Sequence, residues 1–149
     1  MDISYYGMAF DAALSANNEL KRRANVEQWF YGAGVVEYCK QFNTIHLDFG
    51  RQTGKTSFAA SLVSAGPDNR LIIPHSYQMV EHIIKQYELP AKSVSTCDNK
   101  VRLSGLGTRP LSLVIIDEPG FLSSKDIDSV YEMLGSPYTY FLLLGRGRK

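Results

Sequence analysis

Two apolar spacings alternate along this chain, one helical and one extended, and their succession predicts an α/β fold. Residues from about Ala9 to Arg23 and from Val26 to Phe42 read as two helices, the second carrying Trp29, Phe30 and Tyr31 and interrupted by Gly32 and Gly34. A strand follows from Thr44 to Phe49, and Ser57 to Val63 continue a helix that starts near Lys55. Gly66-Pro67-Asp68-Asn69 makes a turn into a short strand, Arg70 to Pro74, and from Ser76 to Tyr87 the apolar residues Met79, Val80, Ile83, Ile84 and Tyr87 recur at helical spacing. A further strand is expected at Ser93 to Thr96, and Ser104-Gly105-Leu106-Gly107-Thr108 reads as a flexible approach to the next one. Leu113 to Ile116 is an unbroken apolar run, the mark of a parallel strand buried on both faces. A helix near Lys125 to Leu134 and a last strand, Tyr140 to Leu144, complete the rhythm. Strands and helices in alternation predict a mostly parallel sheet flanked by helices and joined by right-handed crossovers.

One domain is expected, with a helical lead-in at 1–43, a core at 44–145 and a basic tail at 146–149. The 149 residues, 44% hydrophobic and 21% charged, suit a single domain with an ordinary core. Sixteen basic and fifteen acidic residues give a net charge of +1, so no global field argues for nucleic acid and local patches must carry that case. Cys39 and Cys97 stand far apart and there are three histidines, which encodes neither a zinc ribbon nor a disulfide framework. The first residues lack the basic start and apolar centre of a signal peptide, and no apolar run approaches membrane-spanning length. A cytoplasmic location with no membrane partner is the expectation.

The candidate chemistry begins where the Thr44–Phe49 strand runs through Gly50-Arg51-Gln52-Thr53-Gly54-Lys55-Thr56 into a helix. Such a strand–turn–helix converges backbone N–H groups and the positive end of the helix on one point, a place for a polyphosphate. Gly50 and Gly54 allow close backbone approach, Lys55 would reach β- and γ-phosphate oxygens, and the Thr56 hydroxyl would ligate Mg²⁺. In the pattern G-x-x-x-x-G-K-[ST] the first glycine is here Phe49, with Gly50 one place later. The plain alternative is an ordinary strand–turn–helix with a solvated lysine.

Asp117 and Glu118 end the apolar run, at the carboxyl end of a strand, where open α/β sheets bind ligands. Asp117 would hold Mg²⁺ or its waters, and Glu118 would polarise a water attacking the γ-phosphate. Glu118 could instead be a loop or helix-start carboxylate. Arg146, just past the last strand, is a candidate γ-phosphate sensor, against the reading of a solvated terminal basic run. A nucleoside triphosphate with Mg²⁺ is therefore the expected ligand.

With these motifs placed, the chain resembles, from about Thr44 to Gly145, the ATPase domain of phage large terminases, the DNA-packaging motors. The sharpest likeness is Arg51-Gln52-Thr53-Gly54-Lys55-Thr56, a loop variant without the first glycine that this family commonly uses. Gly105-Leu106-Gly107-Thr108-Arg109-Pro110 before the acidic strand, and Arg70-Leu71-Ile72-Ile73-Pro74-His75-Ser76 before a helix, are similar to further family segments. The resemblance implies a P-loop NTPase of the additional-catalytic-glutamate class. It implies ATP hydrolysis with Glu118, Lys55 and Arg51 as catalytic residues, Arg51 contacting the γ-phosphate in cis. It implies DNA as partner, other motor subunits or self-association, and the host cytoplasm as location if the chain is phage-encoded. As plain chemistry Arg51 could equally pair with Asp48 or Glu118. The coupling turn of the family, which contains Ser or Thr, is replaced by Gly145-Arg146-Gly147-Arg148-Lys149, the core looks trimmed, and no nuclease activity is expected.

Two other classes stand beside this one. A terminase-like domain that binds nucleotide or docks on a motor without turnover fits the short length and the missing coupling turn. A small nucleoside kinase is faintly suggested by Asp117-Glu118-Pro119-Gly120-Phe121-Leu122, against which stand the position of the loop near residue 50 and the lack of zinc-binding cysteines. Lys21-Arg22-Arg23, Lys92, Lys100-Val101-Arg102 and the tail could form a basic track or simply solvated faces, and Trp29 and Phe30 read as core.

Overall fold

In the computed structural model of the chain, residues 4–23, 34–48, 50, 54–66, 69–98 and 111–146 are described. Helix α1 (Ser4–Arg23) starts before Ala9, because Tyr6 and Phe10, one turn apart, both bury against Phe58. The Tyr6 ring stacks on Phe58 at 5.4 Å and Phe10 meets it edge-on at 6.2 Å. Fully burying an aromatic of this kind stabilises by roughly 1.5–3 kcal/mol, which offsets part of the entropy lost in ordering the extra turn. Helix α2 (Val35–Phe42) begins after Gly34, whose φ of 90° closes the helix off on its amino side. The expected Trp29–Gly32 portion lies outside the described residues.

Four strands follow: β1 (Thr44–Leu47), β2 (Arg70–Ile73), β3 (Leu113–Asp117) and β4 (Tyr140–Leu144). Between them lie α3 (Lys55–Ala65), α4 (Tyr77–Tyr87) and α5 (Ser124–Leu134). The sheet is parallel throughout, in the order β1-β4-β3-β2. Period-2 alternation sorts its side chains onto two cores. Ile45, Ile72, Ile115, Leu142 and Leu144 face α1, α3 and α4, while Leu71, Ile73, Val114, Ile116 and Phe141 face α2 and α5. Every residue of β3 is buried, as its unbroken apolar run predicts.

Serine caps set two helix starts. Ser76 Oγ accepts from Met79 N at 3.4 Å and Ser123 Oγ from Asp126 N at 3.0 Å, each cap contributing about 1 kcal/mol. Ser76 is thus the cap of α4 and not its first turn. The strand expected at Ser93 to Thr96 does not form: a 3₁₀ turn at Ala91–Ser93 leads to a single parallel bridge between Val94 and Ile72. Among the described residues, no helix is long and apolar enough to cross a membrane.

The α2–α5 side carries a pH dependence. Burial pushes the Cys39 thiol up to about 11 and the Tyr131 hydroxyl up to about 12, the Ser136 backbone and the Thr44 hydroxyl opposing only in part. A raised folded-state pKa means that folding favours the neutral form. The stability this confers is complete below the ordinary values of 9.0 and 10.0 and is lost as pH rises through the folded ones. Denaturant midpoints should be flat from pH 7 to 8.5 and fall steadily above pH 9, and a Cys39→Ala, Tyr131→Phe protein should fall less steeply.

Candidate functional site

Strand register assembles the site. Leu47 pairs with Leu144 and Leu144 with Asp117, so the residues that follow, Asp48, Gly145 and Glu118, emerge side by side at the carboxyl edge of β1, β4 and β3. Neighbouring strands lie about 4.8 Å apart, so β4 holds the backbones of the two flanking acids roughly 10 Å from one another while their carboxylates lean toward a shared point. Lys55, the first residue of α3, fills the space between them. Its ammonium lies 3.0 Å from Glu118 Oε1 and 3.8 Å from Asp48 Oδ1, and donates to the Gly50 carbonyl at 2.9 Å. At 9% exposure Lys55 is buried, so the reading of an ordinary solvated lysine does not describe it.

The loop reaches Lys55 through glycines. Gly50 has φ 98° and its N–H donates to Asp48 Oδ1 at 2.9 Å, folding the chain back over the end of β1. Gly54, the cap residue of α3, is left-handed with φ 82° and offers no side-chain cap bond, so the first turn of α3 directs its N–H groups toward the carboxyl edge. Arg51, Gln52 and Thr53 lie outside the described residues, as do Phe49 and the Gly105–Pro110 approach.

The second half of the site is Thr56 and Asp117. Alternation puts Asp117 on the α3 face with Leu113 and Ile115, and the Thr56 hydroxyl donates to its Oδ2 at 2.8 Å. Asp117 is 2% exposed, and its Oδ1 is buried without a hydrogen-bond partner among the described residues. Burial holds this carboxyl above the usual range, opposed by the Thr56 hydrogen bond, and the nearby Glu118 charge raises it further. An orphaned carboxylate oxygen beside a hydroxyl suits a hard cation, which takes oxygen donors; a Mg²⁺ ion needs one or two from protein when a polyphosphate and water supply the others. Among the described residues, no group of three or more His, Cys, Asp or Glu forms a closed metal cage.

That buried acid has a measurable cost. An unsatisfied buried polar group costs about 1–3 kcal/mol, and more when charged. Asp117→Asn keeps the shape and an acceptor for Thr56 while removing the charge. In metal-free buffer at neutral pH it should therefore raise the unfolding free energy by about 1 kcal/mol, read by urea denaturation. Unchanged or lower stability would show that the carboxylate is better compensated than its surroundings indicate.

Glu118 sits in a left-handed conformation, φ 56° and ψ 64°, unusual for a residue with a side chain. Its N–H donates to the Leu144 carbonyl at 2.7 Å, extending the sheet by one bond and turning the carboxylate toward Lys55. Glu118 does stand at a helix start, the short 3₁₀ turn Pro119–Phe121, but its carboxylate caps no N–H there and is ion-paired with Lys55 instead. Arg146 is exposed, and no hydrogen bond or ion pair among the described residues joins it to the cluster. The structure thus unites Gly50, Gly54, Lys55, Thr56, Asp117 and Glu118, and adds Asp48, Gly145 and His46, which sequence reading did not assign to the site. His46 Nε2 lies 2.7 Å from the Gly145 carbonyl. The signal for Asp48 and Gly145 was their place one residue beyond strands β1 and β4; nothing local marks His46.

Lys21 and Arg22, read as part of a basic track, have partners within the chain. Lys21 lies over the Tyr140 ring at 4.4 Å and reaches the Pro137 carbonyl at 3.5 Å, and Arg22 pairs with Glu19 at 2.7 Å. Lys21 is therefore at the amino end of β4, opposite the cluster. No model of a known protein family matches the chain, and no curated protein matches it.

Proposed function

We propose that the chain is a P-loop ATPase that binds and hydrolyses ATP, resembles the terminase motor domain, and acts with nucleic acid. The observation that carries this reading is the pairing of loop and acidic strand at one edge, Lys55 with Glu118 and Thr56 with Asp117, across the intervening β4. Lysine, hydroxyl and two acids of unequal burial are the parts phosphoryl transfer to water needs.

In this mechanism Lys55 gives up Gly50 and Glu118 for β- and γ-phosphate oxygens, and the first N–H groups of α3 add their donors. Thr56 and the Asp117 Oδ1 would hold Mg²⁺, which when bound neutralises phosphate charge. Glu118, released from Lys55, accepts a proton from the water whose oxygen attacks the γ-phosphorus while the bond to the β–γ bridging oxygen breaks. Arg51 remains the proposed γ-phosphate contact and Arg146, exposed just past β4, the proposed sensor. DNA is the proposed partner, together with other motor subunits or further copies of the chain.

The test is ATP hydrolysis by the purified chain with and without duplex DNA at low salt, with Glu118→Gln as control. DNA-stimulated turnover that the variant lacks supports a motor-type ATPase. Nucleotide binding with no turnover under either condition moves the function to a nucleotide-gated docking domain.

A further inference from the structure

Resting on that reading, we propose that Gly145, with its carbonyl held by His46, is a positioning residue for the Glu118 carboxylate. Gly145 is the middle of the three register positions, between Asp48 and Glu118. A Cβ there would lie 2.6 Å from Glu118 Oε2 and 2.9 Å from Cδ, inside the contact distance of any real side chain. Because the atoms it would meet are the far end of a flexible side chain, that clash is relieved by moving the carboxylate. Gly145 also has φ 115°, which an L-residue adopts only under strain.

Its backbone is pinned from both polar atoms. The N–H donates to the Leu47 carbonyl at 2.9 Å, and the carbonyl, which can only accept, takes a hydrogen bond from His46 Nε2 at 2.7 Å. His46 therefore carries its proton on Nε2. Both bonds come from β1, the strand that leads into the loop, while the preceding Leu144 carbonyl accepts from Glu118 N. The bare edge of Gly145 is thus a fixed wall against which the carboxylate rests, 3.0 Å from Lys55. The placement of the base is set by β1 and β4 as well as by its own strand.

The test compares wild type, Gly145→Ala, His46→Ala and His46→Gln in steady-state ATP turnover, in affinity for a fluorescent ATP analogue, and in crystal structures of the first two. Gly145→Ala should lower kcat by about 10²-fold, the cost of misplacing a reacting group by about 1 Å, with affinity changed by less than about threefold and the carboxylate displaced from Lys55. His46 is exposed, so its variants should fold even where Gly145→Ala does not. His46→Ala should lower kcat by roughly tenfold, and His46→Gln, whose amide can donate to the same carbonyl, should restore most of it. Wild-type kcat in both Gly145→Ala and His46→Ala, or a carboxylate still on Lys55 in the alanine variant, overturns the positioning role and leaves the ATPase reading standing. Equal losses in kcat and affinity, or no rescue by glutamine, also overturn it, as general damage to the edge. A wild-type chain without turnover removes the ATPase reading, and the positioning role with it.

Discussion

Glu118→Gln should reduce ATP turnover by about 10²–10⁴-fold, the usual contribution of a general base, while nucleotide affinity stays within about threefold of wild type or improves. The substitution is close to isosteric, so it fits against Gly145, where the carboxylate now lies, without a new clash. Its N–H keeps the bond to Leu144, and the left-handed backbone is unaltered. What changes is the charge facing Lys55 at 3.0 Å. Losing that partner frees the ammonium for phosphate, so binding has no reason to weaken, whereas a neutral amide cannot take a proton from water. Single-turnover hydrolysis read beside equilibrium binding separates the two effects. Turnover that persists in Glu118→Gln would sink the assignment of Glu118 as base and would leave the Lys55 contact as a latch between loop and sheet.

The parts of this arrangement that the sequence makes legible are those carried by neighbours in the chain. Lys55 and Thr56 follow a strand and a glycine, and Asp117 and Glu118 end a run whose burial on both faces its composition announces. Capping serines and glycine stops are likewise local, and so the helix and strand positions fall close to expectation. The Ser93–Thr96 strand shrinks to one bridge because Val94 is the single apolar residue of the four; Ser93 and Ser95 are buried as well, but Ser93 turns its N–H back to the Pro90 carbonyl. The early start of α1 escaped notice for the opposite reason: Tyr6 and Phe10 are fixed by Phe58, far away in sequence. The site shows the same division. Asp48, His46 and Gly145 join it only because β4 inserts between β1 and β3, an order of strands that no spacing of residues encodes. Each strand contributes one residue past its end, and the register, not a motif, makes these neighbours.

Lys55→Ala should weaken ATP binding by at least about 10²-fold and abolish turnover, since charge-assisted hydrogen bonds of this kind contribute about 1.5–3 kcal/mol each and the lysine is placed to make more than one. Its burial between two acids shows why truncation acts twice. The alanine variant removes the only cation among the described residues that meets Asp48 and Glu118 together, so the edge presented to a polyphosphate gains net negative charge as it loses its donor. Lys55→Arg separates these effects: it restores the charge, but its planar head cannot take the compact place of an ammonium at 9% exposure, and it should recover affinity more than turnover. Affinity for a fluorescent ATP analogue, measured with thermal stability, decides between roles. If Lys55→Ala binds nucleotide as wild type does but melts earlier, Lys55 is a structural tie between loop and β3. If it keeps its fold and loses the nucleotide while Glu118→Gln keeps both, binding and chemistry lie on two ends of one ion pair, and breaking that pair is the step that couples ATP arrival to release of the base.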